Sequence, residues 1–494
     1  MPTRFSSSVI IISVGRVLQI ISGLIAVRLF TSYLSTAEVG NLYLVNSLSA
    51  FFGLTLLNPV GMYIHRKLNQ WIADKTLLAR FGLYNFYIAL VSLLSLPIVF
   101  LLNRCFDVGG GANAGQLLLY VAIYIYVNTW NQTIVTTFNL MEHRISFVCY
   151  TIASTVMGLM LSIMLVLWSH TAIWWLTGQV AAQIVVTLLA FIHLRSILGE
   201  HVELRSVQGE ISGPDFSQVM KFVAPLSLTT LLLWTQSQSY RMIIENRIGL
   251  EFLGQIGLGF SISTNIAAAV ESIVQQTYMP VFYREISTSD TDIRAAVCNR
   301  LFQMTIPLYL GLSIFVSCLA PFLVTILAHG KFSGAYLYVI FGAWIELFRM
   351  ITGILSTASH SEMKTGYLVK AYFFGGVIAT AGVISATFGS RFDLLIPAAL
   401  VISGMVTLMV MYRQMHRIIH VKIGIRDIVM AGFVSLPFAW ALLFYSQRES
   451  VVVSLLVTGL FGTYLMVSQY LMLLRFNRST GAPWMVTSAG QGKA

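Results

Sequence analysis

Charged side chains stand inside long apolar segments of this chain, where a charge is costly and is a candidate for function. A guanidinium binds phosphate oxygens through two parallel hydrogen bonds. A carboxylate removed from water favours its protonated form and can exchange a proton. Six residues are of this kind, four arginines and two glutamates. Their formal charges sum to +2, which favours an anionic ligand. The six are Arg16, Arg28, Arg241, Arg349, Glu271 and Glu346.

The arginines are candidate ligands for an anionic head group. Arg16 shares a helical face with Gln19 and lies too deep in its segment to reach the membrane surface easily. Arg28 lies near a segment end, so its side chain can instead extend to the interface. Arg241 stands four residues before Glu245, and a local ion pair competes with ligand binding there. We predict that the head group is bound by Arg16, Gln19, Arg28, Arg241 and Arg349.

The two intramembrane glutamates are candidate ion-coupling groups. Glu271 shares a helical face with Thr264 and Gln275, and no basic residue lies within one turn of its helix. The competing interpretation is an ion pair between Glu271 and an arginine of another segment. Glu346 and Arg349, three residues apart, can likewise neutralise each other. The sequence contains no G-x-x-x-x-G-K-[ST] motif for ATP, so ATP does not drive this chain directly. We predict that Glu271 and Glu346 are coupling groups for H⁺ or Na⁺.

Aromatic and amide side chains form stripes that suit sugar rings, which offer an apolar C–H face and many hydroxyls. Tyr120, Tyr124 and Asn131 follow one helical face, and Trp234 shares a face with Arg241. Ordinary helix packing also uses such stripes, because polar side chains join neighbouring helices. We predict that Tyr120, Tyr124, Asn131 and Trp234 contact sugar.

Other motifs for chemistry are weak or missing. The four cysteines are widely spaced and form no C-x-x-C pair. His416 and His420 have a metal-ligand spacing, but they lie among basic residues, which favours a solvated face. No H-E-x-x-H or G-x-S-x-G motif occurs. We therefore expect no metal, no cofactor and no catalytic residue.

The segments that carry these residues are membrane spans. Of 494 residues, 57% are hydrophobic and 10% are charged, against about 25% charged in soluble proteins. A helix of about 20 apolar residues crosses a bilayer. The chain is thus predicted to be an all-α polytopic membrane protein, with Asn58-Pro59 breaking the second span. The fourteen predicted spans are 9–31, 42–64, 81–102, 116–139, 147–168, 172–194, 219–244, 254–279, 302–327, 335–358, 367–387, 394–413, 427–446 and 451–474.

The basic residues predict an orientation. With the N-terminus inside, 21 of the 30 Lys and Arg residues lie in cytoplasmic segments and 5 on the opposite side. This bias places both termini in the cytoplasm. The net charge is +11, but the basic residues form no continuous stripe, so nucleic acid is not an expected partner.

A weak internal repeat suggests the domain organisation. Residues 33–48 align with residues 247–262 at an offset of 214, and Gly40 with Gly254 is one of three identical pairs. The offset is the one that two parallel six-span repeats require. We predict a six-helix lobe at 1–200, a cytoplasmic loop at 201–218, a second six-helix lobe at 219–420, and two further helices with a tail at 421–494.

The stretch from Gly15 to Leu68 resembles a known family. Its segments "AVRLF", "YLSTAEVGNLYLVNSLSAFFGL" and "NPVGMYIHRKL" are similar to those of the polysaccharide transporters, the Wzx-type flippases. These belong to the superfamily of multidrug, oligosaccharidyl-lipid and polysaccharide exporters. The resemblance covers roughly residues 5–420 as a pattern of spans. Leu34-Ser35 departs from the Leu-Gly that often precedes the second span in this family.

The resemblance implies two six-helix lobes around a central cavity that opens alternately to each side. It implies transport of a polyprenyl-diphosphate-linked oligosaccharide from the cytoplasmic to the outer leaflet of the inner membrane, for O-antigen or exopolysaccharide synthesis. Expected partners are this substrate, membrane lipids, and the polymerase and chain-length proteins of the pathway. Three alternatives stay open: a lipid II-type flippase, a small-molecule antiporter of the same fold, and a membrane glycan polymerase, which the short outer loops disfavour.

Overall fold

The computed structural model describes residues 7–106, 114–199, 213–287, 291–362, 364 and 366–480. These residues form helices joined by short turns, with no strand among them. Long apolar segments fold this way in lipid because a helix satisfies its own backbone hydrogen bonds. The predicted all-α class is confirmed.

The described helices fall into two series. The first series is α1 (Ser7–Tyr33), α2 (Thr36–Phe52), α3 (Asn58–Ala73), α4 (Leu77–Phe106), α5 (Ala114–Leu140), α6 (Arg144–Trp168), α7 (Ala172–Leu198), α8 (Gly213–Ser237) and α9 (Tyr240–Arg247). The second series is α10 (Leu250–Thr277), α11 (Met279–Ser287), α12 (Thr291–Leu327), α13 (Tyr336–Ser361), α14 (Gly366–Ala386), α15 (Phe392–Ile418), α16 (Ile425–Ser435) and α17 (Val451–Thr480). Two 3₁₀ segments, Gly330–Ala335 and Leu436–Gln447, precede α13 and follow α16.

The chain is a multi-pass membrane protein. Among the described residues, eleven helical stretches are long and apolar enough to cross a membrane. The three other predicted spans, 9–31, 116–139 and 219–244, are also helical and fall on α1, α5 and α8 with α9. The apolar part described for α1 is Leu18–Tyr33. The α5 and α8 helices are less apolar because they carry many amide and hydroxyl side chains.

The helices group into two compact units, residues 5–254 and residues 255–494. In the first unit α6 packs against α7 and α1, and α4 packs against α5. In the second unit α13 lies against α12 and α15, while α16 and α17 pack on α12. The α8 and α9 helices group with the first unit. The predicted lobes at 1–200 and 219–420 stay a prediction.

The predicted break at Asn58-Pro59 does not occur, because the helix continues from Thr36 to Ala73. A π-helical turn, Gly53–Leu57, lies just before the proline. Such turns leave carbonyl groups without their usual helical donors, and proline adds to this because it has no N–H. Tyr87 of α4 donates a hydrogen bond to the Leu56 carbonyl at 3.0 Å, and Tyr84 donates to the Leu57 carbonyl at 3.3 Å. The neighbouring helix thus stabilises the distorted turn.

Candidate substrate and ion sites

The first unit contains a polar cavity of about 630 Å³, which we call cavity A. It lies between α2, the π-helical turn, α3, α4 and α5. Small-molecule sites commonly have volumes of roughly 300–1,000 Å³. Its lining includes no Lys, Arg, Asp or Glu among the described residues. The polar lining residues are Asn46, Ser49, Asn58, His65, Tyr84, Tyr124, Asn128, Thr129, Gln132, Thr133 and Thr136.

A second cavity of about 460 Å³, cavity B, shares three α5 residues with cavity A: Asn128, Gln132 and Thr136. Helices α1, α6 and α7 complete its walls. No acidic or basic residue of the described chain lines it. The further polar lining residues are Gln19, Ser22, Asn131, Thr151, Ser154, Thr155, Gln179 and Gln183.

Hydrogen bonds between helices fix the amide side chains of α5. Gln183 of α7 donates to Oδ1 of Asn128 at 3.3 Å, and Gln132 donates to the same oxygen at 3.4 Å. Asn131 donates to Oγ1 of Thr187 at 2.8 Å. These hydrogen bonds therefore fix the rotamers of the amide side chains on the polar face of α5.

Two buried oxygen atoms in these walls accept no hydrogen bond within the described part of the chain. They are Oγ of Ser49 in cavity A and Oε1 of Gln183 in cavity B. Buried polar atoms in proteins nearly always have a partner, so each exception needs an explanation. Both atoms belong to cavity-lining residues but are themselves sealed, so a hydroxyl donor in the cavity would reach them only after a change of side-chain rotamer.

The four predicted sugar-contact residues separate into two groups. Tyr124 lines cavity A and Asn131 lines cavity B. Tyr120 is buried and stacks on Tyr124, with ring centroids 6.3 Å apart, and lines neither cavity. Trp234 donates its indole N–H to the Ser47 carbonyl at 3.0 Å and joins α8 to α2. The geometry places Tyr124 and Asn131 at the cavities and Trp234 in a helix contact.

Within the first unit, the predicted anion ligands that the structure describes do not line one common cavity. Gln19 lines cavity B. Arg28 is half-buried on α1 and lines neither cavity. The side chain of Arg16 lies outside the described part of the structure.

Arg241 lies between two tyrosine rings. Its guanidinium carbon is 5.4 Å from the Tyr43 ring centre and 5.6 Å from that of Tyr240. It donates hydrogen bonds to the Tyr240 hydroxyl at 3.2 Å and to the Tyr43 carbonyl at 3.4 Å. Cation–π contacts of this kind hold a guanidinium in place. Arg241 therefore ties α9 to α2, and its role as a phosphate ligand stays a prediction.

The second unit contains an ion-pair network, which we call the charge network. Arg349 donates to Oε2 of Glu346 at 2.6 Å and to Oε2 of Glu271 at 2.7 Å. Thr264 donates to Oε1 of Glu346 at 2.7 Å. The side chain of Glu346 is only 9% exposed, and those of Glu271 and Arg349 are 25% and 39% exposed. The sequence offered two competing ion pairs, Glu271 with an arginine of another segment and Glu346 with Arg349, and both are present. The network carries a formal charge of −1.

Sequence reasoning missed several lining residues. Gln179 and Gln183 line cavity B, and Thr187 accepts the hydrogen bond from Asn131. The three follow each other at intervals of four on α7, which places them on one helical face. That spacing was a usable signal for a polar face. The role of Ser49 depends on the π-helical turn and on α5, so no local pattern in α2 predicts it.

Comparison with solved structures gives the fold. The lipid II flippase MurJ in an inward closed conformation matches with a TM-score of 0.65 and 14% identity, covering 96% of this chain and 99% of that one. An inward-facing multidrug resistance MATE family transporter matches with a TM-score of 0.54 and 14% identity, covering 83% and 98%. A MOP superfamily transporter from Pyrococcus furiosus gives a TM-score of 0.50 and 12% identity, covering 83% and 94%. The chain has the fold of the MOP superfamily transporters.

The family itself follows from the sequence match. Residues 83–336 match the model of the polysaccharide biosynthesis protein family. The chain belongs to this family, which confirms the predicted relationship. No curated protein matches the chain.

Proposed function

We propose that the protein is a flippase that moves a polyprenyl-diphosphate-linked oligosaccharide from the cytoplasmic to the outer leaflet of the inner membrane. The product would serve O-antigen or exopolysaccharide synthesis. Both termini would lie in the cytoplasm, as the basic residues predict. The protein would carry out transport without changing covalent bonds in its substrate.

The observation that carries this proposal is the uncharged, amide-rich lining of cavities A and B. A sugar hydroxyl both donates and accepts hydrogen bonds, and so does an amide side chain. After a change of rotamer, the unpartnered side-chain oxygens of Ser49 and Gln183 would accept hydrogen bonds from sugar hydroxyls, and Tyr124 supplies an aromatic surface for the apolar face of a ring. A cavity for organic cations would instead be expected to carry a carboxylate. The lining therefore favours a neutral glycan over a cationic drug.

The charge network supports ion coupling in this proposal. Two carboxylates hold one guanidinium, so one negative charge is in excess. A proton or Na⁺ taken up by Glu271 or Glu346 would neutralise this excess and weaken the hold on Arg349. Arg349 would then be available to the diphosphate, with Arg16, Arg28 and Arg241 as the other proposed ligands. Loss of the ion would restore the network and favour release of the substrate.

Binding of a lipid-linked oligosaccharide to the purified protein tests the glycan assignment. The double variant combines Gln183→Leu with Ser49→Ala. Its matched control is Gln70→Leu, which removes an exposed amide outside both cavities. A lost hydrogen bond costs about 1 kcal/mol, so the double variant should bind at least tenfold more weakly than wild type. Equal affinity for wild type and the double variant would contradict the assignment.

A further inference from the structure

The second unit contains a cavity of about 260 Å³ between α12, α16 and α17, which we call the basic cavity. None of its lining residues belongs to the charge network, and the cavities of the first unit contribute none. Most of its wall is apolar and is formed by methionine, leucine, proline and phenylalanine side chains. Its polar lining is Gln303, Arg426, Asp427, Gln469 and Arg475.

Two guanidinium groups reach this cavity from different helices. Arg426 lies in the first turn of α16, and Arg475 lies near the end of α17. Nη1 of Arg475 lies 2.7 Å from Sδ of Met430, which places the guanidinium beside α16. Both arginines are exposed at the rim, so they can contact a ligand that enters from the side.

The one carboxylate of the lining has a local role. Asp427 lies in the first turn of α16, next to the backbone of Gly424. A negative charge in the first turn of a helix is stabilised by the helix dipole. Two guanidinium groups and one carboxylate give the lining a formal charge of +1, so the cavity stays basic.

The position of the cavity indicates where a ligand would come from. The bias of basic residues places Arg426 and Arg475 at the cytoplasmic ends of their spans. Basic pockets between membrane helices on that side suit the head groups of anionic lipids. Guanidinium groups bind phosphate oxygens, and the methionine and leucine wall suits the first carbons of an acyl chain.

We propose that the basic cavity binds the phosphate head group of an anionic phospholipid of the cytoplasmic leaflet. Arg426 and Arg475 hold the phosphate, while Gln303 and Gln469 donate hydrogen bonds to the head-group oxygens. The bound lipid links α16 and α17 to α12 and stabilises the attachment of the last two spans. The site is a lipid site of the protein and is separate from the path of the transported glycan.

The test measures the thermal stability of the purified full-length protein as phosphatidylglycerol or phosphatidylcholine is added, and counts retained lipid by native mass spectrometry. Phosphatidylglycerol should raise the melting temperature of wild type, and phosphatidylcholine should not. The double variant Arg426→Gln with Arg475→Gln should bind phosphatidylglycerol at least tenfold more weakly. The control is Arg413→Gln with Arg417→Gln, which removes the same charge from exposed positions on α15 and should behave as wild type.

With the double variant, three outcomes would overturn the proposal: equal loss of binding in the double variant and the control, equal stabilisation by inorganic phosphate alone, or unchanged phosphatidylglycerol affinity in the double variant. The first would mean a general surface attraction, and the second would mean a site for free phosphate. If the double variant does not fold, Arg475→Lys replaces it, since it keeps the charge but loses the paired hydrogen bonds. Unchanged phosphatidylglycerol affinity in Arg475→Lys would also contradict the proposal.

Discussion

Gly40 and Gly254 make reciprocal contacts where α2 and α10 begin. A side-chain carbon at Gly40 would collide with the Leu250 carbonyl, and one at Gly254 would collide with the Thr36 carbonyl. Thr36 and Leu250 are the first residues of the two helices, and each pair is 214 residues apart, the offset of the sequence repeat. The helices approach this closely because neither glycine has a Cβ.

The glycine contact predicts a sharp effect of one methyl group. Gly40→Ala should lower the free energy of unfolding by about 1–3 kcal/mol, because overpacking forces the backbones apart. Gly82→Ala is the matched control, since a Cβ there meets open space and alanine favours a helix. Thermal unfolding of the purified variants in one detergent measures both. Equal stability of the two variants would contradict the close approach.

The charge network predicts a change in energy coupling. Glu271→Gln removes one of the two carboxylates that hold Arg349, so transport should lose its dependence on an ion gradient. Transport into proteoliposomes with and without the gradient measures this. Glu251→Gln is the control, because Glu251 is exposed at the start of the same helix. If gradient dependence in Glu271→Gln equals that of wild type, Glu271 is structural.

Trp234 and Tyr124 should respond differently to substitution. Trp234→Phe keeps an aromatic ring but loses the hydrogen bond to the Ser47 carbonyl, which should cost about 1 kcal/mol of stability and leave glycan affinity unchanged. Tyr124→Leu removes an aromatic wall of cavity A and should weaken glycan binding. Unfolding and binding are measured on both variants. If only the Trp234→Phe variant binds glycan more weakly, Trp234 belongs to the substrate site.

The orientation predicted from basic residues is open to direct test. Reporter fusions after residues 70, 205 and 418 should indicate the cytoplasm, and fusions after 36, 110 and 330 the outer side. Paired reporters, one active on each side of the membrane, provide the internal control. The opposite pattern would invalidate the assignment of both termini to the cytoplasm.

The all-α, multi-span class was predictable from sequence because apolar length alone determines which segments can cross a membrane. The charge network was predictable only as a set of alternatives, since the partner of Glu271 stands on α13 and the helical spacing in α10 does not identify it. The sequence predicts a sugar contact for Trp234, because an aromatic stripe does not reveal that the indole N–H of this residue donates to a carbonyl group of α2. Cavities A and B depend on the packing of several helices, which no single segment encodes.

The central claim is that cavities A and B carry the glycan of a lipid-linked substrate. The most direct measurement is movement of a labelled polyprenyl-diphosphate oligosaccharide in proteoliposomes, followed by the accessibility of its sugar to an added glycosidase. Wild type should expose the sugar faster than protein-free liposomes, and the Gln183→Leu, Ser49→Ala double variant should do so at least tenfold more slowly. Equal rates for wild type and protein-free liposomes, or for wild type and the double variant, would contradict the account.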